Sequence, residues 1–195
     1  MPKNDNLRDH AVAGVKTLLR YLGEDPARDG LLDTPKRVVK AYDEMTEGYD
    51  MDPKEILGRV FEEPYDEMVL VQDIRYHSLC EHHLMPFSGT VDVAYIPNEE
   101  GLVVGLSKLP RLVQCFARRL QVQERMTKQI ASAIEEHLKP LGVGVVVRGH
   151  HACCEARGVR SRNQMVTSDL RGVFRTKPEV RAEFLALARG GNASS

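Results

Sequence analysis

The apolar residues of this chain keep a helical period up to about residue 63 and then switch to alternation, and that switch limits the folds available. From Leu7 to Leu22 one face carries Val12, Val15, Leu18, Leu19 and Leu22, with Gly23 as the stop. Thr34-Pro35 reads as a cap followed by an N1 proline, and Val38, Val39, Tyr42 and Met45 continue the stripe. Asp52-Pro53-Lys54-Glu55 opens a short helix, with Glu55 placed for a capping box. Beyond residue 63, Met68 to Tyr76 and Thr90 to Ile96 read as strands. Ser107 opens a helix with Leu109, Leu112, Val113, Phe116 and Leu120 on one face. After a break near Gln121, Val122, Met126, Ile130, Ile134 and Leu138 mark a second helix, ended by Lys139-Pro140-Leu141-Gly142. Val143 to Val147 reads as a buried strand, Met165 to Phe174 as its hairpin partner, and Pro178 to Arg189 as a closing helix. Two strands, two helices and two strands predict an α+β domain over residues 64–195, its helices on one face of a sheet, preceded by a helical segment over 1–63. The tail from Gly190 to Ser195 is expected to fray.

A length of 195 residues suits one sizeable domain with an appendage. A net charge of -1 offers no global electrostatic reason to expect nucleic acid or a membrane surface as partner, so an anionic ligand must meet a local basic cluster. No apolar run approaches the ~20 residues a membrane span needs, and the polar stretch Met1 to His10 does not read as a secretory signal. The expected compartment is the cytoplasm, where thiols stay reduced. There, Cys80, Cys115, Cys153 and Cys154 are better read as metal ligands or buried side chains than as disulfides.

Four segments carry chemistry. In Cys80-Glu81-His82-His83, in the loop after a strand, a thiol and an imidazole three residues apart can reach one metal, and that pairing suits zinc; a half-buried cysteine beside surface histidines is the plain alternative. In His150-His151-Ala152-Cys153-Cys154, His151 and Cys153 share a face if the strand continues. A third soft ligand there completes a Cys/His/Cys set with one open position, the arrangement of a catalytic zinc. His150 reads as a rim histidine, and Cys154 and Cys115 as buried apolar side chains. Ser107-Lys108-Leu109-Pro110-Arg111, at a helix N-terminus, is either a phosphate site or a solvated basic turn. In Gln121-Val122-Gln123-Glu124-Arg125, polar residues at a helix start are ordinarily surface or capping groups. A single buried carboxylate there can, however, pair with two adjacent N–H donors, which guanine has and adenine lacks.

Together, Leu79-Cys80-Glu81-His82-His83, Gly105-Leu106-Ser107-Lys108 with Arg111, Arg119 to Arg125, His151-Ala152-Cys153 with Arg157-Gly158, and Gly172-Val173-Phe174 resemble GTP cyclohydrolase I in order and spacing. The likeness runs from about Glu67 to Arg189, and more loosely through Thr34-Pro35-Lys36-Arg37. It implies zinc on Cys80, His83 and Cys153, acid/base work by His82 and His151, and Ser107 beside a triphosphate held by Lys108, Arg111 and Arg157. It also implies Arg37 reaching in from a neighbouring subunit, and Glu124, assisted by Gln123, on the guanine edge. The implied fold is the tunnelling fold, an antiparallel sheet closed into a barrel only by oligomerisation. The implied assembly is a homodecamer of two stacked pentamers with sites at subunit boundaries. The implied reaction is hydrolysis and rearrangement of GTP to 7,8-dihydroneopterin triphosphate with release of formate, a first step of pterin or folate-type biosynthesis. The doubled Cys153-Cys154 departs from the pattern; only the first thiol is expected to bind metal. A zinc nucleobase deaminase would need H-x-E followed by P-C-x-x-C, and neither occurs. A nitrile reductase of the same fold would leave His83 idle. A zinc-stabilised oligomeric nucleotide-binding protein without turnover is the remaining alternative.

Overall fold

The computed structural model describes residues 5–190, so the expected fraying beyond Gly190 lies outside the described residues. They fall into two compact units that divide after Thr46. The first unit holds α1 (Asp5–Tyr21) and α2 (Thr34–Met45). Gly23 follows α1 at φ 87°, the left-handed region that a glycine stop supplies. The N-cap of α2 is Asp33, one residue earlier than the sequence suggests, so Thr34 is already helical and Pro35 is the buried residue of the helix.

The second unit runs in the order α3 (Pro53–Leu57), β1 (Val60–Glu62), β2 (Val69–Cys80), β3 (Pro86–Ile96), β4 (Leu102–Val104), α4 (Lys108–Ala117), β5 (Leu120–Gln121) and α5 (Gln123–Leu138). It closes with β6 (Gly142–His151), α6 (Ala152–Glu155), β7 (Gln164–Gly172), α7 (Val173–Thr176) and α8 (Pro178–Gly190). Asp52 caps α3 by accepting the Lys54 N–H at 2.8 Å. The stretch 47–62, helical and strand-like by turns, packs with the sheet: the Gly48 N–H donates to Arg118 O at 3.0 Å, and Leu57 is fully buried in the core.

The main sheet has the order β5-β2-β3-β6-β7, while β1 and β4 form a separate pair. Four strands are antiparallel neighbours, and the short β5 runs parallel to β2, so the sheet is mixed at one edge. The break near Gln121 is that edge strand. Each long strand extends beyond its expected range toward one end of the sheet, β2 on to Cys80, β3 back to Pro86 and β6 on to His151. On one face, Leu109, Leu112, Val113 and Phe116 of α4 and Met126, Ile130 and Ile134 of α5 bury against Val91, Val93, Tyr95, Val143, Val145 and Val147. The helices are not confined to that face. Phe184 and Ala188 of α8 pack on the other one, against Ala94, Val146 and Phe174.

The helix α8 is held there by polar groups. The Arg148 guanidinium donates to Asp92 at 2.6 Å and to Ala188 O at 2.9 Å, and Gln72 Nε2 donates to Leu187 O at 2.7 Å. Arg148 thus satisfies a terminal helix carbonyl and a buried carboxylate at once. The other oxygen of Asp92 accepts the N–H of Asp73 at 2.9 Å, where β2 bulges with φ 53°. Both charges are nearly water-free, with side chains 10% and 1% exposed. Asp92→Ala should therefore cost about 3–5 kcal/mol by stranding a buried guanidinium, whereas Asp92→Leu with Arg148→Met should cost much less. Denaturation midpoints at one fixed protein concentration check this ordering.

Candidate active site

Three strands end together at one end of the main sheet. In their register Leu79 faces Pro86 and Phe87 faces His151, so the tip of β2, the start of β3 and the end of β6 are neighbours. Cys80 is the last residue of β2, not a loop residue. Its carbonyl accepts the N–H groups of His83 at 3.3 Å and Leu84 at 2.8 Å, and Leu84 takes φ 54° to close the turn. That turn folds His83 back over Cys80. From the other side comes Cys153. The strand stops at His151, so Cys153 sits in the one-turn helix α6 and the shared-strand-face argument does not apply to it.

The result is one group of donor atoms, Cys80 Sγ, a ring nitrogen of His83 and Cys153 Sγ, all within 4.8 Å of one another. The two sulfurs are 3.9 Å apart. Two thiolates 2.3 Å from a tetrahedral zinc would be about 3.8 Å apart, so the spacing fits the ion as well as the soft donor set does. Three protein donors leave one position open, as in a catalytic site. Burial, and then the neighbouring Cys80 thiol, push the Cys153 thiol up to about 11, so its proton must leave when a metal binds. Cys154 is exposed, which corrects its reading as a buried apolar side chain, while Cys115 is fully buried as expected.

The two histidines differ in setting. His82 is exposed, with Nδ1 3.9 Å from Cys80 Sγ. His151 is half-buried and stacks on Phe87, centroids 4.6 Å apart and planes 4° from parallel. Burial lowers its pKa first of all, against the opposing pull of Glu124 and Glu155, so the ring is biased toward its neutral form. Glu124, in the first turn of α5, is near enough to His151 to act on its charge. Glu124 itself is exposed in the single chain rather than buried.

Gln123 is 1% exposed, and its Nε2 donates to Val147 O and Met165 O at 3.1 Å and to Thr167 Oγ1 at 3.2 Å. Its amide N–H groups are therefore spent on pinning α5 to the sheet. This close approach needs Gly149, where a Cβ would lie 2.4 Å from Gln123 Oε1 and 2.5 Å from the Tyr76 hydroxyl. Arg125 pairs with Glu81 and donates to Gln121 Oε1 at 3.1 Å, while the Glu81 N–H donates to Gln121 O at 3.0 Å. Arg157 Nη1 is 3.0 Å from His83 Nε2.

Ser107, Lys108 and Arg111 are not gathered there. Ser107 is the N-cap of α4, but its side chain makes no cap hydrogen bond. Four residues before Lys108, the Val104 N–H donates to the Tyr95 hydroxyl at 3.1 Å, and Tyr95 pairs with Val69 at the opposite end of the ladder from Leu79. The helix then runs beside β2, with Gln114 Nε2 on Arg75 O at 2.8 Å, and leads into β5 beside Leu79. At 1.5 Å per residue, Lys108 lies about 14 Å back from Ala117. A chain does not bring its own Lys108 to its own Cys80. Arg37, in the first unit, pairs with Asp33 at 3.1 Å.

Sequence reasoning missed Phe87, Glu81 and Arg125. The strand was expected to begin at Thr90, which left Phe87 outside the ladder. Carrying the alternation of β3 back from Val91 through Gly89 would have reached it.

The fold and this site define an α+β chain with a Cys/His/Cys group that could hold a metal ion, beside the first turn of a helix. The family model for GTP cyclohydrolase I matches residues 11–189. A relative named GTP cyclohydrolase 1, from Leptospira biflexa serovar Patoc (strain Patoc 1 / Ames), is 54% identical over 180 residues, 91% of this chain and 97% of its own. The chain belongs to the GTP cyclohydrolase I family. Among solved structures, the archaeosine synthase QueF-Like in its apo form matches at TM-score 0.40 and 19% identity over 52% of this chain and 92% of its own.

Purified protein should carry about one metal ion per chain. Cys153→Ala should lose it and Cys154→Ala should keep it, as read by elemental analysis. The reverse result would move the ligand to the exposed thiol.

Proposed function

We propose that this chain performs the reaction of its family, converting GTP to 7,8-dihydroneopterin triphosphate and formate with zinc as its metal, at a first step of pterin or folate-type biosynthesis. The observation that carries the reading is the convergence of Cys80, His83 and Cys153, with His82, His151 and the first turn of α5 beside them. No helix among the described residues is long and apolar enough to cross a membrane, which accords with a cytoplasmic enzyme.

Zinc on these three ligands would lower the pKa of a water toward ~7 and so provide a nucleophile for guanine C8 at neutral pH. The chain's own residues do the rest. His82, exposed next to the metal group, donates a proton to N7 and makes C8 more electron-poor. His151, biased neutral by burial, both donates and accepts, which suits the later proton shifts at the formamide and the opened ribose; Ser107 assists at the sugar oxygens. Glu124 accepts from N1–H and the 2-amino group of guanine. Gln123 serves the base by holding that helical turn on the sheet. The triphosphate is held by Lys108, Arg111, Arg157 and Arg37, far enough from C8 that they contribute orientation.

The separation of Lys108 from Cys80 within one chain supports a site shared between copies, with Ser107, Lys108 and Arg111 supplied by a neighbour. The open edges of β5 and β7 support closure of the tunnelling-fold barrel by further copies, in a decamer of two pentamers. In this reading residues 64–195 are the catalytic domain and 1–63 its helical lead. Formate release together with pterin fluorescence, on incubation with GTP, tests the proposal. Metal and assembly without turnover would leave a nucleotide-binding protein instead.

Glu124→Gln should lower kcat/KM for GTP at least ten-fold, since a hydrogen bond to a charged group is worth roughly 1.5–3 kcal/mol, with little change in folding midpoint. Unchanged kinetics would remove Glu124 from the base site. The histidines should separate by product. Losing a general acid or base costs roughly 10²–10⁴-fold at its step, so His82→Ala should leave GTP unconsumed while His151→Ala accumulates a formamide. Quenched reactions resolved by chromatography decide the matter, and the opposite pattern reverses the roles.

A further inference from the structure

The segment after α6 carries three arginines, Arg157, Arg160 and Arg162, all exposed. Only Arg157 has a role in the reading above. Arg160 is built into the same turn. Its N–H donates to Arg157 O at 3.3 Å, Gly158 takes φ 61° and Arg160 itself takes φ 50°. An i to i+3 bond of this kind keeps the two Cα atoms within about 7 Å. The turn is then tied back to the metal-ligand helix, because the Ser161 N–H donates to Cys154 O at 3.2 Å. Arg157, at the head of the turn, is 3.0 Å from His83 Nε2. The Arg160 backbone is thereby held one turn from Arg157, whose side chain reaches His83 of the Cys80–His83–Cys153 group. It also holds a left-handed backbone conformation that crowds any side chain with a Cβ.

Two nearby arginines already have carboxylate partners: Arg125 pairs with Glu81 and Arg148 with Asp92. Glu155, the carboxylate nearest in sequence, is turned to His150 at 3.5 Å. Among the described residues no carboxylate lies within ion-pair distance of Arg157, Arg160 or Arg162. Paired guanidinium forks without a protein anion match phosphate oxygens, which they bind bidentately.

We propose that Arg160 is a second phosphate-binding arginine of this turn, gripping the nucleotide's triphosphate together with Arg157 and setting the preference for a nucleotide with a long phosphate tail. This rests on the GTP reading above and adds a specificity residue to it.

Arg160→Gln removes the charge and keeps the length, and Arg160→Lys restores the charge without the fork. The probes are GTP turnover, competitive inhibition by inorganic tripolyphosphate and competitive inhibition by guanosine. A charge-assisted hydrogen bond supports an effect of roughly ten-fold or more. Arg160→Gln should weaken kcat/KM for GTP and tripolyphosphate inhibition by that factor, the former through KM, and leave guanosine inhibition unchanged. Arg160→Lys should fall between. Unchanged tripolyphosphate inhibition overturns the proposal. So does an equal loss for guanosine, or a change in oligomer mass by light scattering, which would make Arg160 a subunit contact. Wild-type protein that neither turns over GTP nor is inhibited by tripolyphosphate would instead bring down the proposed function itself.

Discussion

The register of β2, β3 and β6 is the constraint on which the site depends. Leu79 opposite Pro86 and Phe87 opposite His151 align three strand ends, the end of β6 arriving from about 65 positions further along the chain than the start of β3. A slip of one residue would reverse every side chain on a strand, sending Val91, Val93 and Tyr95 out of the core. The core therefore enforces the register, and the register delivers Cys80 and Cys153 to the same place. The bulge between Val71 and Ile74 sets the face that β2 presents beyond it. That bulge is held by Asp92, itself neutralised by Arg148 beneath α8.

The first turn of α5 is the second organising element. Gln123 fastens it to the sheet through strand carbonyls, and Arg125 reaches from it to Glu81 in the turn bearing His83. Gln121 joins the two, with its backbone carbonyl on Glu81 and its side chain on Arg125. Glu124 thus stands between residues that fix the helix on one side and the ligand turn on the other. The segment is polar because it is a junction, and its side-chain amides donate to backbone carbonyls of α4, β6 and β7.

Much of the candidate site was legible in the sequence because its members lie in short segments. Cys80 to His83 act through a turn, and a turn is a local object. The grouping of Cys80, His83 and Cys153, expected from family resemblance, is the grouping the fold produces. The setting of Cys153 was misjudged, because the strand was extended through a one-turn helix that has too few residues for a periodic signal. The expected burial of Cys154 failed as well, since its place in that turn leaves the side chain exposed. Phe87 escaped notice because Pro86 and Gly89 hide the start of β3.

The sequence by itself determined the order of the long strands and main helices, the two helices that cover one sheet face, and the donor types of a Cys/His/Cys group, because these follow from local periodicity and from donor chemistry; the short elements β1, β4, β5, α6 and α7 were too brief for a periodic signal. Only the tertiary structure decided the rest. Helix α8 lies on the opposite face because Phe184 and Ala188 meet Ala94, Val146 and Phe174, contacts between residues up to about 90 positions apart. Lys108 stands apart from Cys80 because α4 runs beside β2, about 14 Å from Lys108 to Ala117, before the chain enters β5. Distances between remote segments are fixed by packing and strand register, and no local pattern encodes them.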